Sequence, residues 1–66
     1  MRIVLNGEPL DIDDGTTIAA LVEIEGLGNR RIAIEVNGAI VPKSLHAGTR
    51  LVGGDRVEIV HALGGG

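Results

Sequence analysis

Cysteine is missing from this sequence, and so are phenylalanine, tyrosine and tryptophan. The first absence excludes disulfides, thiol nucleophiles and thiolate metal ligands together, so neither an oxidised framework nor a zinc ribbon can hold the fold. The second removes the flat side chains on which bases stack. A net charge of −3 also lacks the clustered basic face that displaces counterions from a phosphate backbone, so no nucleic-acid partner is expected. Long apolar runs are missing too: none approaches the roughly 20 residues that cross a bilayer, and the opening residues lack the apolar centre of a secretory signal. The expectation is no membrane partner and a cytoplasmic location. A chain of 66 residues makes one domain. A domain near that size buries only about 60 % of the surface its unfolded chain exposes, which leaves little room for an enclosed active site.

What is present is aliphatic and patterned. In "MRIVLNGEPLDI", Met1, Ile3 and Leu5 alternate with Arg2, Val4 and Asn6, and Asn6-Gly7 supplies the positive φ angles of a two-residue hairpin turn. With Asn6 and Gly7 as the loop, Leu5 faces Glu8, Ile3 faces Leu10 and Met1 faces Ile12, so the apolar residues of both strands share one side. Pro9 then opposes Val4 with no N–H to donate outward, which makes the second strand an edge and leaves the first free for another neighbour. "DDGTTIAALVEIEG" reads as a short helix with Thr16 or Thr17 as N-cap, acidic residues at its start, Gly26 as its stop, and Ile18, Leu21 and Val22 as its apolar stripe. "RRIAIEVNGAIVP" repeats the hairpin device around Asn37-Gly38 until Pro42. After the polar stretch "KSLHAGTRLVGGD", "RVEIVH" forms the last strand, placed parallel beside the first. The predicted fold class is α+β: a mixed sheet of four to five strands with one helix packed across it.

The interior offers little chemistry. Ser44 and His46 stand two apart with no third group to orient them, and are read as surface turn residues. Asp11, Asp13 and Asp14 precede Gly15, but counting from Asp11 the sixth and twelfth positions hold Thr16 and Val22, which breaks the spacing of a calcium loop. Two histidines and no cysteine make no zinc set, and no phosphate-binding glycine loop occurs. No catalytic residue, no metal and no bound cofactor are expected.

The remaining feature is "HALGGG". Glycines have no Cβ, so such an arm enters a narrow channel, and residues 63–66 reach about 13 Å when extended. A carboxylate on Gly66 is a poor electrophile until a partner attaches a leaving group, most simply by adenylation with ATP. Sulfide or persulfide sulfur would then give a thiocarboxylate, and a lysine amine an isopeptide bond. In either case the protein is substrate or carrier, not enzyme. Its division is residues 1–63 as the domain and residues 64–66 as a flexible tail.

Taken together, "NGEPLDIDDGTTIAALV", "VNGAIVPKS", "LVGGDRVEIVHALGGG" and the length resemble the ThiS family of sulfur carriers in thiamine biosynthesis, which are ubiquitin-like β-grasp proteins. The resemblance implies that Gly66 is adenylated by a ThiF-type adenylyltransferase similar to ubiquitin-activating enzymes, using ATP and magnesium. Gly66 would then carry sulfur from a donor such as a cysteine desulfurase to a ThiG-type thiazole synthase. Gly64 and Gly65 would let the tail enter the partner's active site. Ile40, Val60 and Leu63 are the candidates for an apolar docking patch. Two rivals stand beside this reading: the small subunit of molybdopterin synthase, which shares the chemistry but is usually longer and contains aromatics, and a β-grasp module that only binds.

Overall fold

Two Asn-Gly turns organise the sheet. The computed structural model describes residues 1–61, and in it Asn6 and Gly7 have φ of 50° and 84°, Asn37 and Gly38 φ of 53° and 88°. These left-handed pairs match the right-handed twist of the strands they join. The first turn links β1 (Arg2–Leu5) to β2 (Glu8–Asp11), with Leu5 opposite Glu8, Val4 opposite Pro9 and Ile3 opposite Leu10, the register expected from the alternation. Backbone bonds between Met1 and Ile12, 2.7 and 2.8 Å long, continue the ladder by one pair. The second turn links β3 (Ile32–Val36) to β4 (Ala39–Val41).

The last strand, β5 (Arg56–His61), lies between the hairpins, parallel to β1 and antiparallel to β3, so the sheet order is β2-β1-β5-β3-β4. The proline-bearing β2 is an edge, where a missing N–H costs nothing.

Helix α1 (Ile18–Ile24) has seven residues, too few to persist alone, and is held by its caps and its buried stripe. Thr17 is the N-cap, its Oγ1 accepting from the Ala20 N–H at 3.1 Å. At the other end Gly26 turns left-handed (φ 73°), its N–H donating to Glu23 O and that of Leu27 to Val22 O, each at 2.9 Å. This paired closure satisfies carbonyls that the helix leaves open.

Ile18, Leu21 and Val22 pack against Ile3, Ile34, Val57 and Ile59 of the sheet. Leu51 completes this core at 2 % exposure, from within the stretch expected to be polar. The cause is pairing: Ile18 N–H donates to Thr49 O at 3.0 Å and Leu51 N–H to Thr16 O at 2.9 Å, which ties residues 49–51 to the helix start and turns Leu51 inward. That stretch also contains a 3₁₀ turn, Lys43–Gly48.

Candidate functional site

β5 is the strand that delivers the chain's final residues, and it is held on both sides. Asn6 N–H donates to Val57 O at 2.9 Å, and Asn6 Oδ1 accepts from Ile59 N–H at 2.8 Å, so the turn asparagine extends the parallel ladder with its own side chain. Asn37 works at the strand's start: its Oδ1 accepts from Arg56 N–H at 2.9 Å and its Nδ2 donates to Asp55 Oδ1 at 3.0 Å. Asp55, 8 % exposed, spends its other oxygen on Val52 N–H at 2.8 Å. This buried carboxylate is a turn-former with both oxygens used. The sequence shows the asparagines as turn residues; only the fold shows them fastening β5.

The sequence-derived candidates divide between the described and undescribed parts of the chain. Leu63, Gly64, Gly65 and Gly66 lie outside the described residues. Ile40 and Val60 are 61 % and 51 % exposed and share the sheet face opposite the helix. They do not touch across one ladder. Ile40 pairs with Glu35, which pairs with Glu58, while Val60 pairs with Ala33 one step along. Two strand spacings and one side-chain repeat put them about 12 Å apart. Glu35 and Glu58 therefore stand between Ile40 and Val60 on this face.

Ser44 is exposed, whereas His46 is not a surface turn residue: at 9 % exposure its Nε2 lies 2.8 Å from the Val41 carbonyl. A carbonyl only accepts, so Nε2 carries the proton, and the ring is a packing piece that joins the 3₁₀ turn to β4. The 3₁₀ turn brings His46 inward while Ser44 stays outside. Asp11, at the end of β2, and Asp13 and Asp14 in the turn after it are exposed, and among the described residues no three histidine, aspartate or glutamate side chains converge as metal ligands would. Asp11 is held below the usual carboxylate range by its hydrogen bond from Arg2 Nε, 2.9 Å away, and by that guanidinium's charge.

Sequence reasoning passed over one feature. A groove of about 330 Å³ opens between the end of α1, residues 27–32 and the 3₁₀ turn. Its floor is Val22, Leu27 and Ile32 with His46, and its rim carries Arg30, Arg31 and Lys43. Arg30 and Arg31 are adjacent in sequence, but Lys43 joins them only through the β3-β4 hairpin.

A single helix laid across a mixed five-stranded sheet, with the chain's final strand at its centre, is the β-grasp arrangement. Its central strand, β5, ends at His61 among the described residues and leads to residues 62–66. The chain matches the ThiS family over residues 3–66 and belongs to it. The crystal structure of a thiamine biosynthesis protein, ThiS, from Geobacter metallireducens superposes with a TM-score of 0.86 at 25 % identity, each chain covered completely. A thiazole synthase of Paramagnetospirillum magneticum is 41 % identical over all 66 residues, and an uncharacterised protein of Porphyra purpurea, ycf40, is 34 % identical over 93 % of its own length. The chain spans 20 % of the length of the thiazole synthases it matches.

Proposed function

We propose that this protein is a sulfur carrier of thiamine biosynthesis, acted on by enzymes and not itself one, with the carboxyl group of Gly66 as the reacting group. A carboxylate oxygen attacks the α-phosphorus of magnesium-bound ATP in a ThiF-type adenylyltransferase, pyrophosphate leaves, and an acyl-adenylate forms. The persulfide of a donor such as a cysteine desulfurase then attacks the acyl carbon and expels AMP, and a cellular thiol reduces the resulting acyl disulfide, releasing the donor's thiol and leaving a thiocarboxylate that a thiazole synthase consumes; free sulfide gives the thiocarboxylate directly. Gly64 and Gly65 supply an arm without side chains for entry into those active sites.

The observation that carries this reading is the match to the ThiS family over residues 3–66, which includes the glycines. The thiazole synthase relatives add support for the consuming partner, because a segment like this whole chain forms a fifth of their length. Two units on one polypeptide meet at an effective concentration of about millimolar, an arrangement suited to units that act on each other.

Intact-mass spectrometry tests it. The protein is incubated with the adenylyltransferase of its own genome, magnesium-ATP and a sulfide source. The expected product has one oxygen replaced by sulfur, mapped to Gly66, and Gly66→Ala should fold normally but convert far more slowly. Absence of any product, with an adenylyltransferase shown to act on another carrier, would sink the proposal.

A further inference from the structure

We propose that the basic groove is a second contact with the thiazole synthase, occupied by an acidic, aliphatic segment of that enzyme beside the opening that receives the tail; this rests on the sulfur-carrier reading. Topology supplies the first argument. His61, the last described residue of β5, pairs with Ile32 in the groove floor, and Val41 at the end of β4 pairs with Ile34, so the strand's exit, residues 30–32 and Lys43 all stand at one end of the sheet. Neighbouring strands lie about 4.8 Å apart, so a protein that takes the tail faces the groove at close range.

Charge supplies the second argument. The chain is acidic overall, with six lysines and arginines against nine carboxylate side chains, yet half of those cations sit on this rim. Among the described residues, the ion pairs are Met1 with Asp14 and Arg2 with Asp11, so Arg30, Arg31 and Lys43 have no carboxylate within ion-pair distance. Glu23, the acidic side chain on the adjoining wall, lies over Gly28. Unpaired cations around an aliphatic floor complement a segment with carboxylates at its edges and aliphatic side chains between them. Such rim charges act chiefly on the rate of encounter and on its salt dependence.

The test is the affinity of the full chain for the thiazole synthase of the same genome, measured by isothermal titration calorimetry at low and at high salt. Arg30→Glu with Arg31→Glu is compared with Arg50→Glu with Arg56→Glu, which changes the net charge equally at exposed positions away from the groove. The groove variant should lose about tenfold in affinity at low salt and show a nearly flat salt dependence, while the control keeps both close to wild type. Circular dichroism checks that both variants fold. Equal losses in the two variants would reduce the effect to net charge and overturn the proposal. Wild-type binding by the groove variant would overturn it too, including the case where that variant is adenylated more slowly, since the groove would then serve the adenylyltransferase. Failure of the carrier reading looks different: no thiocarboxylate would form on the wild-type protein.

Discussion

The two hairpins begin from the same device and end with different duties. In each, an Asn-Gly pair turns the chain and places one apolar face against α1. Asn6 then offers β5 one side-chain acceptor, for Ile59 N–H, whereas Asn37 uses its whole amide, accepting from Arg56 and donating to the buried Asp55. The β1-β2 hairpin touches β5 through two paired positions, the β3-β4 hairpin through five. Identical turn chemistry therefore serves a light attachment on one side of the last strand and a heavy one on the other.

The sharpest way to break this comparison is at the core, where the hairpins should be equal. Ile3 and Ile34 are 0 % and 1 % exposed, and truncating either to Ala should cost about 2–5 kcal/mol, a large share of the stability of so small a domain. Urea unfolding measures it. A loss confined to Ile34→Ala would mean that the first hairpin contributes little to the cooperative unit.

The asparagines should separate the hairpins. Asn37→Asp removes the donor to Asp55 and sets a second carboxylate against it, at an expected cost of about 1–3 kcal/mol near neutral pH. That deficit should shrink on acidification, because a proton shared between the two groups relieves the repulsion. Asn6→Asp keeps its acceptor for Ile59 and should stay within about 0.5 kcal/mol of wild type. Parallel urea titrations at two pH values decide, and equal costs would remove the distinction.

The glycines should unite them again. Gly7→Ala and Gly38→Ala each force a Cβ into left-handed backbone and should each cost about 1–2 kcal/mol. Unequal costs would show that one turn is free to relax.

The smallest effect belongs to the first hairpin alone. Arg2 lowers the pKa of Asp11, so the pair contributes above the ordinary carboxylate range and loses that contribution as pH falls through the lower folded value. Both side chains are exposed, so salt should mask most of it. Thermal midpoints of Asp11→Asn and wild type should differ slightly at neutral pH and low salt, then converge in strong acid. A gap that widens in acid would reverse the sign and refute the assignment.

Much of this architecture was readable in the chain. Asn-Gly turns and two-residue alternation check each other, since a slip by one residue would expose every apolar side chain of a strand. Pro9 marked the edge, and so pointed to β1 as the strand with a free neighbour position. The stretch after Pro42 was opaque because its inward residues, His46 and Leu51, come one at a time and follow no period. Leu51 is placed by backbone bonds to residues 16 and 18, which composition does not record. The groove was hidden for the same reason: Lys43 lies twelve residues beyond Arg31 in sequence and meets it only through a hairpin. Gly66 stood out by being unsuited to packing, whereas Ile40 and Val60 showed their exposure but not the glutamates between them.

The central position of β5 has a mechanical consequence. Anything that grips the residues beyond His61 and pulls along the strand loads both ladders sideways at once, the parallel bonds to β1 and the antiparallel bonds to β3. Bonds sheared together resist as a group, whereas bonds at a frayed edge open one after another. A pull applied beyond His61 is therefore borne by the whole sheet and does not peel the domain apart strand by strand.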